Sequence, residues 1–268
     1  MKTRNMFQYL KYIVVSIVVL GIFFTLWQLL VNVFHMSEFL LPGPMSIFRA
    51  YGVMMENNRL SFHTWVTIEE TLIGFFLGTL LGVLLGYITS KAKLLELIFS
   101  PFIIGAQTTP KFALAPLFLI WFGFGILSKI FITALIVFFP IFINTVLAIK
   151  SVNSNLRDIM RLSHASNWQV LTKLEIPSSF PTLFAGLKSG ITLAVVGAVV
   201  GEFVGANAGL GYLIIFATGN LDTPTVFAAI IQLVIIGIVL YEIVSITGSR
   251  FIKWHESEKL LVEKYEKI

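Results

Sequence analysis

From Tyr12 to Phe34 the chain runs 23 residues without a charged side chain. A stretch of this length and composition is what a helix needs to cross a hydrocarbon layer, where every backbone N–H and C=O must be satisfied internally. Comparable apolar stretches recur at about Trp65–Thr89, Leu94–Phe124, Lys129–Ile149, Ser179–Phe203 and Pro224–Gly248, which predicts six spanning helices. The first follows Lys2, Arg4 and Lys11 but is too long for a secretory signal and lacks its small-residue cleavage site, so it reads as retained. The third is interrupted by "QTTPK" and by Pro116. Only 12% of residues are charged, against about a quarter in soluble domains. The expectation is an all-α integral membrane protein with one domain over residues 1–268, its core at about 60–250.

The chemistry open to such a chain is limited. With no cysteine, disulfides and thiolate metal sites are excluded, and His35, His63, His164 and His255 are too far apart to suggest zinc. The net charge of +5 is explained by topology rather than by nucleic acid. With both termini inside, fourteen Lys and Arg fall in cytoplasmic segments and three (Arg49, Arg59, Lys129) in outer ones, leaving Lys111 and Lys188 within spans. In the outer segment "LPGPMSIFRAYGVMMENNRLSFH" after the first span, proline and Ser46 begin a short helix that Asn57 and Asn58 end.

Two spans carry rows of small residues. Gly74, Gly78, Gly82 and Gly86 lie four apart, and Gly186, Gly190, Ala194 and Ala198 repeat the device, joined by Gly197 and Gly201. Such a row forms a shallow groove on one helix face, where another backbone approaches closely.

The cytoplasmic segment Ser151–Ser178 is long for a connection between membrane helices. "NSNLRDIMRLSHAS" predicts a short helix capped by Asn155, with Leu156, Ile159 and Met160 on one face and Asp158 and Arg161 paired on another. "NWQVLTKLE" predicts a second, with Trp168, Leu171 and Leu174 three apart, ended by Pro177; Ser178 or Ser179 then caps the fifth span. An element of this kind lies on lipid headgroups or presents a ridge to a soluble partner; the residues alone leave both readings open.

The order Asp158, Arg161, His164-Ala165-Ser166, Trp168-Gln169, Ile176-Pro177, Phe180-Pro181, Ala185-Gly186-Leu187 resembles the EAA loop of binding-protein-dependent ABC transporter permeases. "LLPGP" (40–44), "PKFALAPLFLIWFGFG" (110–125), "FFPIFINT" (138–145) and "VVGEFVGANAGLGYLI" (199–214) extend the likeness from about Leu40 to His255. They resemble the branch handling nitrate, taurine, aliphatic sulfonates and thiamine-pyrimidine or riboflavin-type precursors, and look nearer the aromatic precursors. The resemblance implies a type I importer permease (MetI-like) fold in the bacterial plasma membrane. It implies a second copy of the permease, an ATP-binding subunit and an extracytoplasmic solute-binding protein as partners. Asp158, Arg161, His164, Ala165, Ser166, Trp168 and Pro177 would couple to the ATPase. Where the family has Glu-Ala-Ala this chain has Asp158-Ile159-Met160, and His164 stands where the family places Gly, so the turn between the short helices is expected to differ.

No G-x-x-x-x-G-K-[ST] loop is present, so ATP-driven transport would need its ATPase on another polypeptide; the resemblance implies no cofactor on this chain, with ATP and Mg on the partner ATPase. Polar residues in spans mark the candidate path: Gln107, Thr108, Thr109 and Lys111 at a helix break, and Glu202 near the outer end of the fifth span. Lys111 attracts an anion, pairs with Glu70 or Glu202, or meets headgroups; all three stay open. The glycines of "GANAGLGY" follow no strand and are read as a tightly folded outer segment rather than a phosphate loop. A secondary transporter or channel working without ATP would also show six spans, but "QTTPK" is not repeated in the second half. No G-x-S-x-G or H-E-x-x-H supports an intramembrane enzyme.

Overall fold

The computed structural model describes residues 2–252, with side chains from Val14 onward except at positions 16, 100, 102, 104, 106, 107 and 252. His255, the last four lysines of the topology count and the side chains of Lys2, Arg4, Lys11 and Gln107 lie outside the described residues. Among the described residues every regular element is helical.

Helix α1 covers Lys2–Val33, α2 Pro44–Glu56, α3 Arg59–Lys91 and α4 Lys93–Thr108. After a 3-10 turn at Lys111–Leu114 come α5 (Ala115–Phe122) and α6 (Ile126–Lys150). The segment Ser151–Ser178 includes α7 (Ser154–Leu162) and α8 (Asn167–Val170). A π turn at Leu171–Glu175 leads into α9 (Ile176–Gly205), followed by α10 (Leu210–Gly219) and α11 (Thr223–Ile252). Four described helical runs are long and apolar enough to cross a membrane: Arg59–Lys91, Ile126–Lys150, Asn167–Gly205 and Thr223–Phe251. The predicted first span falls on α1, whose described apolar part is Ile17–Val33. The predicted third span is divided between α4 and Lys111–Phe122, because Pro110 has no N–H for a helix and "QTTPK" breaks the ladder there.

The chain forms two compact units. One contains the residues up to Phe62 with Leu213–Ile231. In it the expected short helix is α2, starting at Pro44 and capped at Asn57; Trp27 meets Phe227 with ring centroids 5.9 Å apart, and Thr223 Oγ1 donates to the Phe39 carbonyl at 2.6 Å.

The other unit, His63–Tyr212 with the described residues from Gln232 to Ile252, holds α7 and α8. Its centre is α6. A Cβ at Gly78 would stand 2.6 Å from the Ala134 carbonyl, and one at Gly82 2.9 Å from the Ile141 side chain, so the first glycine row seats α3 on α6. A Cβ at Gly197 would stand 2.9 Å from the Thr133 backbone and one at Gly201 3.1 Å from that of Lys129, so the second row seats α9 on α6 as well. Only hydrogen at those positions allows backbone-to-backbone approach. Ala115, Ile132 and Ile136 form a buried apolar nucleus with Phe118, Leu193 and Val200 against it.

Candidate coupling site and membrane cavity

Helix α7 is capped by Asn153, whose side chain accepts from the Asn155 N–H at 2.9 Å; the cap is therefore two residues before the predicted Asn155. Its C-terminus closes with His164 N donating to Arg161 O and Ala165 N to Met160 O, both at 3.0 Å, the Schellman pattern. That pattern needs a left-handed residue after the helix, and His164 supplies it at φ 51°. A non-glycine residue thus carries the left-handed position that closes α7. Ser166 then starts α8 with a capping box: its N–H donates to Gln169 Oε1 at 2.8 Å and its Oγ accepts from Gln169 N at 3.3 Å.

Pro177 does not end the second short helix. The Ile176 N–H donates back to Leu171 O, five residues earlier, and the widened turn carries the helix past a residue that has no N–H to offer. Asn167–Gly205 is in consequence one continuous helical run. Ser179 lies inside it and donates Oγ to Ile176 O at 3.0 Å rather than capping it.

Two apolar side chains of the segment stay out of the protein: Leu162 is 82% exposed and Trp168 71%. Ile159 and Leu156 are exposed too, whereas Leu174 is buried, so the predicted Trp168-Leu171-Leu174 face is divided between surface and interior. Asp158 and Arg161 pair at 3.4 Å on the surface. Behind this surface is a carboxylate the sequence reading missed. Glu175 is 1% exposed and takes an ion pair from Lys91 of α3, Tyr87 Oη at 3.4 Å and Arg157 Nη2 of α7 at 3.5 Å. Lys150 pairs with Glu96 across the ends of α6 and α4.

At the other end of α9, Glu202 is buried. Its Oε1 accepts from Thr67 Oγ1 at 2.7 Å and its Oε2 from the Gly211 N–H. Leu210 N donates to Thr67 Oγ1 at 2.8 Å, and Gly209 N to His63 Nδ1 at 3.1 Å. Gly209 has φ +112°, and a Cβ there would strike the Glu202 carboxylate, so the glycines of this segment serve close packing on a buried acid. Lys129, assigned from sequence to an outer segment, is buried and donates to Glu70 Oε1 at 2.5 Å; of the two carboxylates considered for Lys111, this one is taken by another lysine.

Lys111 instead stands with its ammonium 5.2 Å from the centre of the Phe139 ring. It lines a cavity of about 480 Å³ with Thr108, Thr109, Pro110, Phe112, Phe139, Pro140 and Leu193 among its walls. The hydroxyls of Thr108 and Thr109 both donate to Gly105 O, at 2.8 and 2.9 Å, capping the broken helix end. Glu202 is not among the residues of this cavity.

The sequence pattern of the binding-protein-dependent transport system inner membrane component family matches residues 78–253. The chain belongs to this family. The permease is 37% identical over 240 residues to the riboflavin transport system permease protein RibX of Chloroflexus aurantiacus, covering 90% of each chain. It is 30% identical to the putative aliphatic sulfonates transport permease protein SsuC of Bacillus subtilis, over 95% of this chain and 91% of that one. It is 32% identical to the formylaminopyrimidine transport permease protein ThiX of Halalkalibacterium halodurans, over 83% and 88%. In fold the permease is similar to a chain of the MetNI methionine ABC transporter in inward-facing conformations, with a TM-score of 0.61 and 18% identity over 71% of this chain and 93% of that one. It is a multi-pass membrane subunit of the ABC transporter permease class.

Proposed function

We propose that the permease forms the solute path of an ABC importer and that Ser151–Ser178 receives the stroke of a separate ATP-hydrolysing subunit. The observation that carries this reading is the exposed pair Leu162 and Trp168 on a segment otherwise fixed by caps and buried ion pairs. Large apolar side chains held rigidly at a surface mark a docking ridge, and a capped, clamped segment transmits a push instead of absorbing it. Asp158, Arg161, His164, Ala165, Ser166 and Trp168 belong to that ridge, and Pro177 stands where it enters α9. Hydrolysis with ATP and Mg takes place on the partner, and a second copy of the chain and an extracytoplasmic solute-binding protein complete the importer. The charge bias puts the segment and both termini on the cytoplasmic side of a bacterial plasma membrane.

The path includes the cavity at Lys111, Thr108 and Thr109, with Gln107 on the same helix end. Its lysine and aromatic ring suit a small anion or an aromatic precursor, in line with relatives named for sulfonates, riboflavin and formylaminopyrimidine. Glu202 supports the outer end of α9 from behind rather than facing this cavity.

The test is a pull-down of the tagged chain from mild detergent, with an ATPase assay on what is retained. A stoichiometric ATP-binding subunit, lost with Arg161→Glu or Trp168→Ala, is the expected result; its contact with this segment also fixes the segment's side of the membrane. A chain that comes down alone and moves solute in liposomes without ATP would instead be a secondary transporter or channel.

A further inference from the structure

The weakest point of the Asn167–Gly205 run is its root. There the π turn Leu171–Glu175 replaces regular hydrogen bonds with wider ones, and Pro177 removes a donor. Bends in long helices form at such places. A stroke applied at Trp168 would be spent in bending this joint unless something held it straight.

Glu175 sits in the joint itself, two residues before Pro177, and its carboxylate is enclosed. Among the described residues its side-chain partners are donors from other elements: Lys91 and Tyr87 near the end of α3, and Arg157 in α7. Lys91 also lies 5.2 Å over the Tyr87 ring, so the α3 pair is itself braced. Arg157 Nη2 reaches in addition the Ile149 carbonyl at 2.6 Å, at the end of α6. One carboxylate therefore ties α3, α7 and the root of α9, with α6 joined through the shared arginine. Buried ion pairs of this kind contribute little net stability, but they are disruptive to break, and their best-attested use is to impose one register. The exposed Asp158–Arg161 pair has no such leverage.

We propose that Glu175 is the positioning residue of the coupling device: its clamp makes α7, α8, the π turn and the inner end of α3 turn as one body. The stroke then reaches the membrane through α3 and α9 together, not through α9 alone. This rests on the coupling reading above.

The experiment uses the co-purified permease–ATPase complex in proteoliposomes and reads solute moved per ATP hydrolysed, with ATPase retention measured alongside. Glu175→Gln is expected to keep the ATPase bound and turning over while uptake per ATP falls several-fold. Lys91→Met, a change at the half-exposed partner, gives the same direction and decides the matter if the Glu175 variant does not fold. Because the chain has no cysteine, Lys91→Cys with Glu175→Cys can be bridged by a short thiol-reactive linker. The open double variant is expected to be uncoupled and the bridged one recoupled, a recovery that a merely stabilising role would not produce. An unchanged ratio in both single variants, or a bridge that abolishes uptake, overturns the proposal. If the native chain retains no ATPase, the coupling reading itself fails, which is a different result from an unchanged ratio.

Discussion

At His164 the backbone enters the left-handed region, where a Cβ crowds the following carbonyl at a cost of about 1 kcal/mol or more. The Schellman closure of α7 requires that conformation, so His164→Gly should raise the stability of the solubilised chain by about 1 kcal/mol. Thermal unfolding checks this, with His164→Ala as the control that keeps the Cβ and should show no gain. The sequence allowed the position to be recognised, because a residue there stands where glycine is expected. The Ser166–Gln169 box was equally legible as S-x-x-Q ahead of an apolar run, and was passed over. The partners of buried charges were not legible. Nothing in the spacing of Glu70, Lys111, Lys129 and Glu202 says which lysine meets which acid, since residues 59 apart are brought together only by how α3 and α6 pack. The same holds for Glu175 and Lys91, 84 apart.

Helices obey a similar division. The two glycine rows showed which faces of α3 and α9 approach another helix, but a groove does not name its occupant; the structure shows that α6 fills both. Gly78→Ala should then wedge α3 from α6, because its Cβ would fall 2.6 Å from a carbonyl that cannot rotate away. Overpacking of this sort costs about 1–3 kcal/mol. Denaturant titration in detergent would show a lowered midpoint, while Gly52→Ala, within α2 and with open space around its Cβ, should not lower it and should raise it slightly. The joint at Pro177 misled the sequence reading for a physical reason. Proline biases the preceding residue away from helix, yet a π turn restores a usable bond five residues back, and Ile176 keeps helical dihedrals.

For the whole molecule, length and apolarity were enough to give an all-helical membrane protein, and the broken third span marked the cavity in advance. Lys111 faces that cavity with a ring beside it and no carboxylate within 4.0 Å among the described residues, unlike Lys91 and Lys129. An intramembrane cation so placed fits the proposed solute path. Lys111→Met should slow uptake several-fold and leave ATPase retention intact; transport at the original rate would remove Lys111 from the path.

The unbroken run Asn167–Gly205 has a further consequence. At 1.5 Å per residue its 39 residues make a rod about 58 Å long, with Trp168 at one end and, near the other, Glu202 gripping the Gly209–Gly211 turn. With its root held straight by the proposed Glu175 clamp, such a rod does not distinguish sender from receiver. Whatever loads the turn held by Glu202 must bias the posture of the Trp168 ridge by the same free energy with which a load on that ridge biases the turn. On the proposed coupling, the part that carries work outward is also a gauge that reports inward.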